Sequence, residues 1–145
     1  MAAPFYTIGH GTRPLQDFVE LVTSVAVTLV VDVRTVPRSR TNPQYNREAL
    51  PQSLEPFGIG YEHIASLGGL RGRARRCVIM CAETVWWRCH RRIITDYLLA
   101  AGERVFHILG ADHVEEAHMT DVARLRADGR LVYAAGQGAQ RDLFK

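Results

Sequence analysis

The sequence lacks the features that mark secreted or membrane-spanning proteins. No apolar stretch approaches the roughly 20 residues needed to span a bilayer. The chain does not start with a basic segment followed by an apolar run, so no signal peptide is predicted. Three closely spaced cysteines, an odd number, favour reduced thiols over a disulfide framework. These absences predict a cytoplasmic protein without a membrane partner.

Lysine is nearly absent, and arginine supplies the basic charge. Lys145 is the only lysine, and the net charge is +3. Four arginines and no acid occur between Arg34 and Arg47, and the arginine-rich segment 71–92 contains Glu83 as its one acid. This distribution suits a phosphate-bearing ligand or a nucleic-acid backbone. The alternative interpretation is that arginine is simply the usual basic residue of the source organism.

The length of 145 residues and the hydrophobic fraction of 47% predict one domain with one sizeable core. The sequence contains no repeat and no sign of a second domain, so residues 1–145 are predicted to form a single α/β domain. Residues 133–145 are predicted to be a C-terminal tail that packs on it through Leu143 and Phe144.

Five apolar runs predict a mainly parallel sheet of about five strands, at 5–8, 28–34, 58–64, 77–80 and 105–109. The fourth run is continuous rather than alternating, which is typical of a strand covered on both faces. Helices are predicted from Pro14, over 47–56 with Asn46 as the N-cap, after Thr84, and near 120–127.

The fourth strand leads directly into a helix and forms the centre of the predicted site. Ligands of open parallel sheets bind in the crevice at the carboxyl ends of the strands, where Cys81, Glu83 and Trp86 are expected. Cys89 and His90 lie on or beside the apolar stripe of the following helix. They are either packing groups, since buried thiols are usually inert and buried histidines hydrogen-bonded, or groups that touch a ligand.

A glycine-bounded loop follows the first strand and contains Gly9, His10 and Thr12. Backbone N–H groups between a strand end and a helix start can hold an anion, although the spacing is neither the Rossmann nor the Walker pattern. His10 is a candidate ligand or acid/base group; a histidine that merely hydrogen-bonds the backbone is the alternative.

Asp32 interrupts the second strand near the edge that faces the predicted crevice. A charged group there is rarely buried without a partner. The favoured interpretation is an ion pair with Arg34 or Arg38, and the alternative is an acid/base residue.

The polar loop 37–46 contains two prolines and is long enough to close over a ligand. Arg38 and Asn42 offer donors to a phosphate, and Tyr45 offers an aromatic plane to a base. Gly68 and Gly69, which follow the third strand, permit a tight turn or a close approach of the backbone to a ligand.

An ordered set of motifs resembles the DUF488 family. The motifs are Thr7-Ile8-Gly9-His10, Asp32-Val33-Arg34 with Pro37 and Ser39, Tyr61 with Leu67-Gly68-Gly69, and Cys81-Ala82-Glu83 with Cys89-His90-Arg91. The resemblance implies a small Rossmann-like three-layer α/β fold and adds Pro37 and Arg91 to the candidate residues, but it implies no reaction. The chain departs from the family at Gly11, where serine is common, and in a shorter segment between Gly69 and Cys77.

Two enzyme classes fit the central segment poorly. Cys81-Ala82-Glu83 is similar to the first half of a zinc deaminase site, but Cys89 is not followed by a second cysteine two residues further on. In a cysteine phosphatase or rhodanese-like enzyme, the bulky residues after Thr84 would crowd the anion and Glu83 would repel it. The sequence therefore identifies no metal-ligand set and no cofactor.

The favoured hypothesis makes Glu83 the reactive group. The protein would bind a nucleotide or another phosphate-bearing ligand and hydrolyse its N-glycosidic bond, with Glu83 as acid/base or nucleophile. The alternative is a non-catalytic nucleotide- or nucleic-acid-binding module. The predicted catalytic residues are Glu83, Cys81, His10 and Asp32, and the predicted ligand-binding residues are Gly9, Thr12, Arg34, Arg38, Asn42, Gly68, Gly69, Trp86, Cys89, His90 and Arg91. The hypothesis requires one edge of the sheet to hold all four catalytic candidates.

Overall fold

A six-stranded, mostly parallel sheet organises the chain. The computed structural model describes residues 3–64, 76–84, 91–119, 123–125 and 131–133. The strands are β1 (Phe5–Gly9), β2 (Leu29–Asp32), β3 (Gly60–His63), β4 (Cys77–Cys81), β5 (Val105–Gly110) and β6 (His113–Glu116). Their order is β3-β2-β4-β1-β5-β6, with β6 antiparallel to β5 and the other described pairs parallel. The predicted α/β class is confirmed, and the Rossmann-like three-layer arrangement stays a prediction.

Alternate residues of β4 join two different apolar clusters, which explains its continuous apolar sequence. The described helices are α1 (Leu15–Ser24), α2 (Leu50–Leu54) and α3 (Arg91–Ala100). Val78 and Met80 pack with side chains of α1 and α2, whereas Cys77 and Ile79 pack with side chains of α3. None of the described helices is long and apolar enough to cross a membrane.

Side-chain hydrogen bonds account for two boundaries that differ from the prediction. The second strand ends at Asp32, and the N–H of Arg34 turns back to donate to the Asp32 carboxylate at 3.0 Å. The helix predicted over 47–56 begins only at Leu50, followed by a 3₁₀ turn at Glu55–Phe57. The prediction that Asn46 caps this helix is wrong, because its Oδ1 accepts the N–H of Ser39 at 2.6 Å and closes the preceding loop.

The C-terminal part of the chain contains strands that the sequence analysis did not predict. The helix expected near 120–127 is wrong, since β7 (Ala123–Leu125) pairs antiparallel with β8 (Leu131–Tyr133). Asp128 and Gly129 lie between these strands in the sequence, and this dipeptide is a strong hairpin signal that the short helical pattern obscured. Strand β6 was also not predicted. Of the predicted tail, residues 134–145 lie outside the described part of the chain.

Gly9, at the end of β1, lies against the turn that follows β4. A Cβ atom at this position would lie 2.0 Å from the carbonyl oxygen of Glu83 and 2.6 Å from the Cα of Thr84. Both are backbone atoms, so no change of rotamer can relieve the overlap. Only glycine allows β1 and this turn to approach so closely.

Gly9→Ala is therefore expected to lower the free energy of unfolding by about 3 kcal/mol, the upper part of the range for overpacking. Gly110→Ala is the matched control, because nothing lies within 4 Å of the Cβ that it would add. Urea denaturation of both variants measures the difference. Equal losses in the two variants would contradict the close approach of β1 and the turn.

Candidate functional site

Three adjacent strands bring the four predicted catalytic residues to the same edge of the sheet. Strand β4 lies between β1 and β2 and is parallel to both. Beyond the strand ends, the N–H of His10 donates to the carbonyl of Cys81 at 2.8 Å, and the N–H of Gly11 donates to that of Ala82 at 2.9 Å. The backbone segments that carry Cys81 and Glu83 on one side and His10 on the other are thus in direct contact, with Asp32 on the next strand.

A buried ion pair between Asp32 and Arg34 lies at this edge, as the sequence analysis favoured. The Nε and Nη2 atoms of Arg34 donate to the two carboxylate oxygens of Asp32 at 2.9 and 2.7 Å. The hydroxyl of Tyr61 donates to Oδ2 of Asp32, and Arg34 also donates to the carbonyl of Tyr45 at 2.6 Å. Burial alone would lower the pKa of Arg34, but the hydrogen bond and charge of Asp32 raise it above its ordinary value. The guanidinium of Arg34 is thus positively charged, and the Asp32 carboxylate balances this charge inside the protein.

His10 also belongs to this network, and both of its ring nitrogens are engaged. Nδ1 lies 2.8 Å from the carbonyl oxygen of Gly11, which can only accept, so Nδ1 carries the proton. Nε2 then accepts from Nη1 of Arg34 at 3.2 Å. Burial and the charge of Arg34 lower the pKa of His10, although the Gly11 hydrogen bond and Asp32 oppose them. The imidazole is therefore held neutral in one tautomer.

Tyr45 packs its ring on His10 instead of presenting it to solvent. The ring centroids are 4.2 Å apart and nearly parallel, and Tyr45 is fully buried. Its hydroxyl donates to the carbonyl of Arg13 at 2.7 Å, and burial raises its pKa to about 12. The prediction that Tyr45 offers its ring to a ligand base is therefore wrong, because the buried ring supports His10 instead.

Glu83 and Cys81 share the turn after β4 but differ in exposure. Glu83 is half-buried, whereas Cys81 is 7% exposed. The thiol of Cys81 donates to the carbonyl oxygen of Glu83, with a sulfur–oxygen distance of 3.4 Å. Of the four predicted catalytic residues, Glu83 is the one with substantial exposure, since His10 and Asp32 are at most 1% exposed.

A second buried polar network, Arg91–Thr7–His107, lies behind this turn. Nη2 of Arg91 donates to the carbonyls of Glu83 and Thr84 at 2.7 and 3.1 Å, and Nη1 donates to the hydroxyl of Thr7 at 3.2 Å. That hydroxyl lies 2.6 Å from Nδ1 of His107. Burial and the charge of Arg91 lower the pKa of His107 to about 4. Sequence reasoning gave no role to His107, although a histidine inside an apolar run was a signal of a buried polar contact.

Arg13 supplies a positive charge at the same edge and was also missed. Its Nε and Nη2 donate to the carbonyls of Gly9 and Leu109, both at 3.2 Å, and it is partly exposed. These carbonyls stand at the carboxyl ends of β1 and β5. Within the described residues Arg13 forms no ion pair, so its charge is not neutralised by a carboxylate there.

A cavity of about 440 Å³ opens at the carboxyl end of β3. Its walls are connected to the Asp32–Arg34 pair, because the Tyr61 hydroxyl donates to Asp32 and Nε2 of His63 donates to the carbonyl of Arg34 at 2.7 Å. The lining residues are Arg47, Pro51, Tyr61, Glu62, His63 and Ile64. None of these was among the predicted site residues, because the loop and strand patterns gave no indication that they would meet.

The predicted hydrogen-bond donors of the loops are exposed or bonded to other loop residues. Arg38 does not pair with Asp32; it forms an exposed ion pair with Glu48 at 2.8 Å. The N–H of Asn42 donates to the hydroxyl of Ser39 at 2.9 Å, and Thr12 is exposed. Gly68, Gly69, Trp86, Cys89 and His90 lie outside the described residues, as does the segment that would test Thr84 as a cap. In the described ranges, no group of three or more His, Cys, Asp or Glu side chains could hold a metal ion.

Comparison with known proteins gives one match. The model of a family described as "Domain of unknown function DUF488" matches residues 14–76 and 70–98. No curated protein and no solved structure matches the chain.

Arg34→Met is expected to lower the free energy of unfolding by about 3–5 kcal/mol, because it leaves the buried Asp32 carboxylate without its charge partner. Arg38→Met is the matched control, since the Arg38–Glu48 pair is exposed and should matter far less. Urea denaturation at neutral pH measures both losses. Comparable losses would contradict the structural role assigned to the buried pair.

His107→Asn is expected to flatten the acid dependence of stability. The pKa of His107 in the folded protein, about 4, lies below the ordinary 6.5, so the unfolded chain binds the proton first as the pH falls. The contribution of His107 is complete above pH 6.5 and decreases between pH 6.5 and 4, by at most about 3 kcal/mol. Urea denaturation across this window compares wild type with the variant. Parallel curves would show that His107 titrates normally.

Proposed function

Because this chain belongs to the DUF488 family, whose description names no activity, we propose a function from the geometry of its site. The carboxyl edge of the sheet binds a nucleotide or another phosphate-bearing small molecule. Glu83 then acts on the bound ligand as acid/base or nucleophile in hydrolysis of its N-glycosidic bond. The supporting observation is that one edge carries both a half-buried carboxylate and cationic side chains.

The cavity at the end of β3 supports the binding step. Its volume of about 440 Å³ falls within the range of small-molecule sites, roughly 300–1,000 Å³. Arg47 lines it, and a guanidinium can hold a phosphate through two parallel hydrogen bonds. Strand β4 lies two positions from β3 in the sheet, which is roughly 10 Å at the usual strand spacing, and Glu83 follows the end of β4. A nucleotide is long enough to reach from one to the other.

Differences in exposure support Glu83 as the reacting group. Asp32 and His10 have their polar atoms engaged with protein groups and are at most 1% exposed. They are better suited to holding the edge in shape than to touching a ligand. The Glu83 carboxylate belongs to a half-buried residue at the same edge, where it can meet a ligand while remaining partly shielded from water.

The proposed reaction needs one carboxylate and one water. Glu83 takes a proton from water as the water oxygen forms a bond to the anomeric carbon. The carbon–nitrogen bond breaks, its electron pair leaves with the base nitrogen, and the proton passes from Glu83 to the departing base. In the nucleophilic variant a carboxylate oxygen of Glu83 bonds to the anomeric carbon as the carbon–nitrogen bond breaks and the base leaves with its electron pair. Water then bonds to the anomeric carbon, the carbon–oxygen bond to Glu83 breaks, and the proton that water loses passes to the released base.

A non-catalytic nucleotide- or nucleic-acid-binding module is the competing proposal. It is favoured by the same internal pairing of Asp32, Arg34 and His10, since these groups need no reacting ligand to explain their presence. In this case the cavity and Arg13 would bind and Glu83 would transfer no proton.

Glu83→Gln separates the two proposals. Thermal-shift screening of wild type against nucleotides, nucleosides and sugar phosphates should find a ligand that stabilises by about 2.7 kcal/mol at 100 times its dissociation constant. Chromatography of released base should then show turnover that Glu83→Gln lowers by roughly 100-fold or more with binding retained. Glu48→Gln, in the exposed Arg38–Glu48 pair, is the control.

The negative outcomes differ in meaning. Binding without turnover in wild type supports the non-catalytic module, and turnover unchanged by Glu83→Gln removes Glu83 from the chemistry. The absence of any stabilising ligand in the whole panel contradicts both proposals.

A further inference from the structure

Arg91 is a fully buried arginine that donates hydrogen bonds to the backbone of the turn after β4, residues 82–84 (the Glu83 turn). Its Nη2 donates to the carbonyl of Glu83 at 2.7 Å and to that of Thr84 at 3.1 Å, while Nη1 donates to the hydroxyl of Thr7 at 3.2 Å. Its exposure is 0%, so a ligand at the surface of the edge does not reach it. A guanidinium serves three acceptors at once because its donors form a rigid planar fork.

Thr7 and His107 fix the direction of this fork. Since arginine can only donate, the Thr7 oxygen accepts from Arg91, and the same hydroxyl is hydrogen-bonded to Nδ1 of His107 at 2.6 Å. Thr7 therefore joins the guanidinium of Arg91 to the imidazole of His107 in one buried hydrogen-bonded series. These hydrogen bonds link α3, which contains Arg91, to the neighbouring strands β1 and β5.

The Glu83 turn is thus held from two sides. On one side Gly9 lies so close that a Cβ atom would overlap the Glu83 carbonyl at 2.0 Å. On the other side Arg91 donates to that same carbonyl. Close packing against Gly9 limits movement of the Glu83 backbone toward β1, and movement away from Arg91 would break a buried hydrogen bond.

We propose that Arg91, oriented by Thr7 and His107, is a positioning residue for Glu83 and does not contact the ligand. This assignment rests on the proposed function in that Glu83 is the group worth positioning. It also gives Thr7 and His107 a role in the site, although neither lies at the surface of the edge. The measurable consequence is that removing a hydrogen bond of the Arg91–Thr7–His107 network loosens the Glu83 turn without unfolding the sheet.

Cys81 reports the state of this turn without any substrate. Its thiol donates to the Glu83 carbonyl and is 7% exposed, whereas Cys77 at the other end of β4 is fully buried. Local opening of the turn should expose Cys81 alone, and opening of the sheet should expose both. The ratio of their alkylation rates under native conditions, read by peptide mass spectrometry after iodoacetamide, therefore separates the two events.

Thr7→Val removes the hydroxyl at nearly constant volume and is expected to raise the alkylation rate of Cys81 about tenfold, with Cys77 unchanged. Thr7→Ser keeps the hydroxyl and should restore the wild-type rate. Thr95→Val is the matched control, because the Thr95 hydroxyl is equally buried yet makes no hydrogen bond to the described residues. Arg91→Lys, which keeps the charge but loses the fork that contacts the Glu83 and Thr84 carbonyls, should raise the Cys81 rate at least as much as Thr7→Val.

Three outcomes overturn the positioning role: an unchanged Cys81 rate in Thr7→Val, a parallel rise of Cys77, or the same rise in Thr95→Val. None of these measurements depends on turnover. If no ligand stabilises the protein but Thr7→Val still raises the Cys81 alkylation rate, the proposed function is rejected while the role of Arg91 in holding the Glu83 turn stands. Where turnover is found, Thr7→Val should lower kcat with little change in KM. The same substitution should add no further loss to Glu83→Gln, because residues that act as one unit are not additive.

Discussion

The buried ion pair between Asp32 and Arg34 is the interaction on which the carboxyl edge of the sheet depends. It joins β2 to β3 through Tyr61, to the loop after β1 through His10, and to the 3₁₀ turn Pro43–Tyr45 through the Tyr45 carbonyl. Two desolvated charges are tolerated there because nearly every donor and acceptor around them is satisfied. The network therefore tolerates few substitutions, because replacing one member leaves a buried polar partner without its hydrogen bond.

Arginine performs the same task at several places in this chain. Arg91 and Arg13 donate to main-chain carbonyls at or beside strand ends, and Arg34 donates to the carbonyl of Tyr45 in the 3₁₀ turn. Arg76 donates to the carbonyl of Val25 near the opposite edge of the sheet. Among the described arginines in the middle of the chain, Arg34 and Arg91 are buried, whereas Arg38, Arg40 and Arg47 are exposed. The buried guanidinium groups of Arg34 and Arg91 are engaged with protein groups, so they do not contribute charge to a ligand at the surface.

The sequence was sufficient for the features that local pattern determines. The continuous apolar run of β4 predicted a central strand, and Asp32 next to Arg34 predicted a pair, because both depend on neighbours along the chain. Contacts between distant segments were not predictable: Thr7 meets His107 and Tyr61 meets Asp32 only after the strand order is known. Asn46 was misassigned for a similar reason, since a loop acceptor and a helix cap share the same side-chain preference.

The left-handed conformation of Gly11 has a consequence for how this site can vary. At φ +52° a Cβ atom at position 11 would lie 2.4 Å from the side-chain methyl group of Thr84. The serine that is common at this position in the resembling family would therefore need a smaller residue at 84 or a displaced methyl group. Positions 11 and 84 are therefore coupled by shape, because a side chain at position 11 restricts the residue or the rotamer that position 84 can adopt.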